Sequence, residues 1–231
     1  MRKLLADGTL GEVQRFESRF ERWRPRPKGG WRESGDPAEI GGILYDLGSH
    51  LVDQALALFG PAVTVYAESD VRRRGAEADD DTFIALTHAG GVRSHLWMSA
   101  TAAQLGPRFR VLGDTAGYVK YGLDPPRRPP CGRACGPATA QRGARSPNPR
   151  GGRLGAGESP LTGGGEPVAT LPGDYPAYYA AIEAALRTGG RPPVTAREAA
   201  AALRVLEAAK TSAAEGRTVH LAEDDVLAAT R

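Results

Sequence analysis

One stretch of mostly apolar sequence carries three side chains that could perform acid–base chemistry. Asp46, His50 and Asp53 stand four and then three residues apart, so on a helix they project from one stripe. A carboxylate one turn from an imidazole can orient the ring and raise its basicity, and a histidine suits proton transfer to or from a substrate hydroxyl. The spacing alone favours the alternative of a half-buried structural histidine with two solvated or capping aspartates.

Glycines around this stripe favour a functional interpretation. Gly41 and Gly42 precede it, and Gly48 lies inside it, where a glycine costs roughly 1 kcal/mol relative to alanine in a helix. We therefore expect that something approaches the backbone closely beside Asp46 and His50.

The stripe belongs to a helix predicted over residues 43–59, because apolar residues recur at intervals of three and four and Gly60 with Pro61 ends the pattern. Before it we predict a short helix at 3–7, a strand at 12–23 and a loop at 24–42. After it, alternation predicts strands at 63–68, 82–87, 92–98, 109–112, 118–121 and 217–221, and apolar periodicity predicts helices at 175–187 and 195–215.

Consecutive strands joined by tight turns form an antiparallel sheet. The predicted fold class is therefore α+β, with one open, mostly antiparallel sheet covered by helices on one face. Alternation at 82–87 leaves apolar side chains on both faces, Phe83 and Ala85 on one and Ile84 and Leu86 on the other. We expect a homo-oligomer through the sheet face, since an uncovered apolar face is normally an interface.

Residues 125–165 differ from the rest of the chain in composition. They hold ten glycines, eight prolines and seven arginines, with two large aliphatic residues and no aromatic one. Such a segment buries too little apolar surface to offset its ordering entropy. We therefore predict a disordered segment at 125–166 between two parts, 1–124 and 167–231, of one domain. The abrupt loss and recovery of pattern also suggest a shifted reading frame in the gene.

The charge of the same segment bears on possible partners. With seven arginines and one glutamate it is strongly basic, whereas the whole chain has a net charge of +3, so the remainder is mildly acidic. A basic insert that binds nucleic acid is one interpretation, but the segment lacks the aromatic residues that stack on bases, and we expect no nucleic-acid partner.

Membrane and metal functions find little support in the sequence. The chain has no run of about 18–20 apolar residues and no signal-peptide pattern at its start, so we expect a cytoplasmic protein without a membrane partner. Cys131 and Cys135 form a lone Cys-x3-Cys pair, which is a poor zinc site, and no metal site is predicted.

Residues 41–55 read GGILYDLGSHLVDQA. This run resembles the Gly-Gly and Asp-x-Gly-x-His-x-x-Asp helix of the glucose-fructose oxidoreductase, inositol dehydrogenase and rhizopine-catabolism (Gfo/Idh/MocA) oxidoreductases. The likeness extends to Leu10-Gly11-Glu12-Val13, Trp31-Arg32, Phe59-Gly60-Pro61 and residues 113–120, and resumes over 171–219. It covers about 1–124 and 167–221 and is similar to the C-terminal domain of that family.

The resemblance implies an NAD(P)-dependent oxidoreductase. Hydride would pass between nicotinamide and a carbinol carbon of a sugar, polyol or related small molecule. His50 would transfer the hydroxyl proton, and Asp46 would orient His50 or contact a substrate hydroxyl. Asp53, one turn further on, is a weaker candidate for substrate binding.

The sequence also departs from the family. Its members carry a dinucleotide-binding domain ahead of this one, with a Gly-x-Gly-x-x-Gly turn and a Glu-Lys-Pro whose lysine contributes to catalysis, and this chain contains neither motif. Met1 falls where the second domain of the family begins. We therefore assign no cofactor-binding residue, leave NAD and NADP both open, and expect little or no activity from this chain alone. The alternative function is a non-catalytic sheet domain that acts as a binding or oligomerisation module.

Overall fold

A computed structural model describes residues 1–123, 152–155, 165–171 and 173–222. The strands in these ranges are β1 (Val13–Glu21), β2 (Ala62–Asp70), β3 (Asp81–His88), β4 (Arg93–Ser99), β5 (Phe109–Gly113), β6 (Gly117–Lys120), β7 (Gly152–Gly155), β8 (Glu166–Val168) and β9 (Val219–His220). The α-helices are α1 (Arg2–Ala6), α2 (Ser49–Phe59), α3 (Tyr175–Thr188) and α4 (Ala196–Glu215). Two 3₁₀ turns, Trp31–Glu33 and Pro37–Glu39, and a π-helical turn, Leu44–Gly48, complete the elements.

The strands form one open sheet in the order β8-β7-β6-β5-β1-β4-β3-β2-β9. Every neighbouring pair is antiparallel except β1 and β4, which run parallel with Phe16 opposite Ser94. The predicted α+β fold class with an open, mostly antiparallel sheet is confirmed.

Helices α2 and α4 cover one face of this sheet. Side chains alternate along β4, so Leu96 and Met98 are buried whereas His95 and Trp97 are only half-buried. On the helix side, α4 packs against β2 and α2 and contributes Val205 and Leu206 to the core. These two helices therefore lie on one face, as expected, and the face with His95 and Trp97 is called the open face below.

Part of the segment predicted to be disordered belongs to the sheet. Within 125–166 the structure places β7, which pairs with β6, and Glu166, which begins β8 and pairs with Leu154. The prediction is wrong at these residues, because backbone hydrogen bonds to an exposed strand edge do not require the apolar side chains that the composition lacks. Gly152 also lets β7 approach closely, since an added Cβ would lie 2.3 Å from the Tyr118 ring.

The remainder of that segment, 125–151 and 156–164, lies outside the described residues. The same holds for Cys131 and Cys135 and for residues 223–231 of the predicted domain. In the described ranges, no helix is long and apolar enough to span a membrane.

Candidate active site

The helix predicted over 43–59 is divided into two parts in the structure. The π-helical turn Leu44–Gly48 precedes α2, and Asp79 supports its first turn by accepting a hydrogen bond from the Leu44 amide at 2.7 Å. A π-helical turn is wider than an α-helical one and is frequent at functional sites. The relation between Asp46 and His50 therefore differs from the i, i+4 relation of a regular α-helix.

Asp46 is half-buried and lies between two arginines. Its Oδ1 is 3.2 Å from the Arg32 Nε, and its Oδ2 is 3.9 Å from a terminal nitrogen of Arg22. Arg22 follows β1, and Arg32 belongs to the loop between β1 and the π-helical turn. The carboxylate is thus positioned by charged groups from two other parts of the chain.

His50 lies at the surface at the start of α2. Its ring centroid is 6.3 Å from that of Phe20. In the part of the chain that the structure describes, no hydrogen bond or ion pair joins His50 to Asp46. Asp46 is therefore paired with the two arginines, and the predicted orientation of His50 by Asp46 is not observed.

Asp53 also lies at the surface, on the next turn of α2. The surrounding chain removes enough water from its carboxyl to raise its pKa, and Glu198 adds to this rise while His50 opposes it. Asp53 is therefore close enough to His50 for an electrostatic effect, although neither residue lines the cavity beside Asp46.

That cavity, called the Asp46 cavity here, has a volume of about 250 Å³. Residues 28–33 of the loop, the beginning of the π-helical turn and Ala100 after β4 surround it. Asp46, Arg32 and Trp31 are among its lining residues. Of the three predicted site residues, only Asp46 contributes to its wall.

A buried ion cluster, formed by Glu33, Arg73 and Asp80, holds this loop in place. The Arg73 guanidinium donates to Glu33 at 3.0 Å and to Asp80 at 2.8 Å. Glu33 in turn accepts hydrogen bonds from the amides of Lys28 and Gly29 at 2.5 and 2.7 Å. The backbone that carries Trp31 and Arg32 is therefore fixed to the segment between β2 and β3.

Asp80 is the innermost member of the cluster, with no exposed surface. Burial opposes its ionisation, but the amides of Arg72 and Arg73 and the Arg73 guanidinium outweigh burial and hold the pKa of Asp80 below its ordinary value. Asp80 is therefore charged at neutral pH and fully paired.

Sequence reasoning missed this cluster and the two arginines around Asp46. Trp31 and Arg32 were noted only as part of the family resemblance, and no role was predicted for them. The available signal was the run Asp79-Asp80-Asp81 directly before a predicted strand, since consecutive aspartates are unusual there.

Gly48 has a packing role in the structure. A Cβ at this position would lie 3.3 Å from Leu206 Cδ2 and 3.5 Å from Met98 Cε. The close approach that the glycine predicted is therefore made by core side chains of α4 and β4, and no ligand is needed to explain it.

Metal binding has no support in the described ranges, where no group of three or more His, Cys, Asp or Glu residues is arranged to hold an ion.

Comparison with known proteins defines the class to which this fold and site belong. The GFO/IDH/MocA C-terminal domain matches residues 1–119, and the C-terminal alpha/beta domain of the oxidoreductase family matches residues 165–221. The chain therefore belongs to the GFO/IDH/MocA oxidoreductases and represents the C-terminal part of such a protein.

Individual relatives agree with this assignment. The chain is 38% identical over 230 residues to the uncharacterized oxidoreductase YdgJ of Escherichia coli, covering 96% of this chain and 62% of YdgJ. It is 31% identical over 229 residues to scyllo-inositol 2-dehydrogenase (NADP(+)) IolW of Bacillus subtilis, covering 96% of this chain and 60% of IolW.

Solved structures share the fold. An oxidoreductase from Yersinia pestis superimposes with a TM-score of 0.78 at 34% identity, and YvaA from Bacillus subtilis with a TM-score of 0.77 at 30% identity. Each match covers 96% of this chain and about 60% of the other protein, 60% and 62% respectively. The chain thus spans somewhat less than two thirds of the relatives that it matches.

Proposed function

We propose that this chain provides the substrate side of an NAD(P)-dependent oxidoreductase that acts on a carbinol carbon of a sugar, polyol or related small molecule. The observation that carries the proposal is the Asp46 carboxylate at the wall of a small cavity, on the same helical segment as His50, inside a region that matches the family. His50 is the proposed acid–base residue and Asp46 the proposed substrate-binding residue.

The surroundings of His50 suit proton transfer. His50 is exposed and makes no hydrogen bond to the described residues, so both ring nitrogens are available to a substrate hydroxyl. A general base must come within hydrogen-bond distance of the proton that it removes. His50 therefore takes the hydroxyl proton when the alcohol is oxidised and returns it in the reverse direction.

Asp46 offers an acceptor for a second hydroxyl. Arg32 and Arg22 fix its carboxylate, and a carboxylate oxygen accepts hydrogen bonds only. A polyol hydroxyl that donates to Asp46 is thereby positioned relative to His50. Asp53 could add a weaker contact near the surface.

The nicotinamide cofactor would act as hydride acceptor or donor when bound. The given sequence has no glycine-rich turn of the dinucleotide-binding type that would hold its phosphate groups. We therefore place cofactor binding outside the residues described, leave NAD and NADP open, and propose that the chain alone has little or no activity.

The names of two relatives support a polyol or sugar substrate. IolW is a scyllo-inositol 2-dehydrogenase, and a D-apiose dehydrogenase from Paraburkholderia graminis is 30% identical over 183 residues. Both names describe oxidation of a hydroxyl-rich small molecule.

The test joins the upstream, non-matching part of YdgJ to residue 1 of this chain and measures reduction of NAD⁺ and NADP⁺ with scyllo-inositol and D-apiose. We expect turnover in the fusion and little in the chain alone.

His50→Ala in the fusion should lower kcat by about 10²-fold with a smaller effect on cofactor affinity. His220→Ala, an exposed histidine on β9, is the matched control. Unchanged kcat in His50→Ala removes His50 from the mechanism, and absence of turnover in the fusion with every tested polyol contradicts the proposal.

A homo-oligomer through the open face is a second proposed property, and it also represents the non-catalytic alternative. On this face the Phe83 and Trp97 ring centroids are 5.1 Å apart, and the Arg19 guanidinium lies 4.0 Å from the Trp97 ring. An aromatic cluster with an arginine is typical of interface centres.

Sedimentation velocity tests this interface. We expect Trp97→Lys to weaken self-association by at least tenfold, because truncation at the centre of an interface costs about 2 kcal/mol or more. Trp23→Lys, at a tryptophan that is 57% exposed and outside the aromatic cluster, should leave association unchanged. A wild-type chain that stays monomeric at high concentration contradicts the proposal.

A further inference from the structure

The Asp46 cavity contains more positive than negative groups that are free to meet a ligand. Arg73 is satisfied by Glu33 and Asp80, and Arg32 is paired with Asp46. Arg24 and Lys28 also line the cavity, and neither makes an ion pair with another described residue. The cavity therefore has positive charge that the described chain does not balance.

Arg22 is only weakly paired. Its nearest carboxylate oxygen, on Asp46, is 3.9 Å away, which is too long for a hydrogen bond. Burial and the neighbouring Arg24 lower the pKa of Arg22, and the opposing effect of Asp46 does not restore it. An anion beside Arg22 and Arg24 would relieve this repulsion.

The backbone around these cations is fixed. The Arg24 amide donates to the Ala100 carbonyl at 2.8 Å, and the Arg24 carbonyl accepts from Arg73 at 3.3 Å. The Lys28 amide is held by Glu33. The two free cations thus extend from a preorganised loop, which reduces the entropy cost of binding a ligand.

We propose that the Asp46 cavity binds a sugar or polyol derivative that carries a phosphate or carboxylate group, with Arg22, Arg24 and Lys28 as the anion-binding residues. This inference rests on the proposed function, because Asp46 would bind a hydroxyl of the same molecule. Charge-assisted contacts to phosphate or carboxylate are stronger than neutral hydrogen bonds.

The size and wall of the cavity agree with a ligand of this kind. Its volume of about 250 Å³ is below the roughly 300 Å³ at which pockets for drug-sized ligands begin, which suits a single sugar ring. Trp31 provides an aromatic surface beside it, and the Arg32 guanidinium, 4.2 Å from the Trp31 ring centroid, stacks on that surface. The wall of the cavity thus combines cations with an aromatic side chain.

Titration calorimetry of the full 231-residue chain in low-salt, phosphate-free buffer tests the inference. The probes are D-glucose 6-phosphate, D-glucuronate and neutral D-glucose. We expect at least one charged sugar to bind ten or more times tighter than D-glucose, and this preference to fall as salt is added.

Variants identify the residues responsible. The double substitution Arg24→Met with Lys28→Met should remove the preference, lowering affinity for the charged sugar by about tenfold or more. Arg26→Met is the matched control, because Arg26 belongs to the same loop but does not line the cavity, and it should retain the preference. Circular dichroism of each variant verifies folding.

Three results would overturn the inference. The first is D-glucose binding as tightly as the charged sugars, and the second is a preference for charged sugars that survives the double substitution. If ADP-ribose binds the chain and loses affinity in the same double variant, the positive charge serves the cofactor and not the substrate. None of these binding measurements requires hydride transfer, so they test the anionic ligand separately from the proposed function. A fusion that oxidises only neutral polyols would support the proposed function and refute the anionic substrate.

Discussion

Replacement of Asp80 by alanine is the most direct test of how the loop beside the Asp46 cavity is held. Asp80 is fully buried, and its Oδ2 accepts from the Arg73 side chain at 2.8 Å and from the Arg73 amide at 3.0 Å. Its Oδ1 accepts from the Arg72 amide at 2.7 Å. The substitution therefore removes three hydrogen bonds and leaves the Arg73 guanidinium, whose side chain is 5% exposed, with Glu33 as its remaining carboxylate partner.

The expected cost follows from this geometry. Removal of one partner from a buried ion pair costs about 3–5 kcal/mol, and because Arg73 keeps Glu33 we expect a value near the lower limit, about 3 kcal/mol. Asp81→Ala is the matched control. Its carboxylate lies 3.6 Å from Arg72, and the two side chains are 40% and 59% exposed, so its loss should cost less than about 1 kcal/mol.

Urea denaturation of the 231-residue chain at neutral pH measures both values. The effect should depend on pH in a defined direction. The pKa of Asp80 is lower in the folded chain than in the unfolded chain, where a carboxyl titrates near about 3.9. Its contribution is thus fully present above that range and is lost as the pH falls through the folded pKa. Equal destabilisation by Asp80→Ala and Asp81→Ala, or a difference that grows on acidification, would refute the reasoning.

Two further substitutions test the packing of the helices that support the site, again by urea denaturation. Thr195→Ala removes the capping box of α4, in which Thr195 accepts from the Glu198 amide and Glu198 accepts from the Thr195 amide, and should cost about 1 kcal/mol, whereas Thr218→Ala, at an exposed threonine outside the helices, should cost less. Gly48→Leu should destabilise the chain by about 1–3 kcal/mol through overpacking, because even a Cβ would lie 3.3 Å from Leu206; a neutral effect would show that the contact with α4 is loose.

Sequence pattern predicted the elements well where the signal is local. The strand predicted at 82–87 lies within β3, and the helix predicted at 195–215 has the expected cap and ends at Gly216. Alternation and apolar periodicity are imposed by burial of one face, so they can be read from a few neighbouring residues. The parallel pairing of β1 with β4 has no such local signature, since it depends on packing between distant segments.

The residues of the candidate site likewise fall into those with a local sequence signal and those without one. Asp46 and His50 could be found because their types and spacing are local. The partners of Asp46 could not, since Arg22 and Arg32 come from other segments, and the ion pair between Glu33 and Arg73 spans 40 residues. The π-helical turn also could not be predicted, because apolar periodicity was interpreted with a regular period of 3.6 residues per turn.

The two consecutive aspartates before β3 support both the π-helical turn that bears Asp46 and the loop that bears Arg32. Asp79 accepts from the Leu44 amide and thereby supports the π-helical turn that bears Asp46. Asp80 holds Arg73, which holds Glu33 and the loop that bears Arg32. Because Asp79 and Asp80 are adjacent, one segment holds both the turn that bears Asp46 and the loop that bears Arg32, whose side chains are 3.2 Å apart. The stability of the ion cluster and the geometry of the cavity are therefore properties of the same few residues, and a substitution that loosens Asp80 should also disturb the substrate binding that we propose at Asp46.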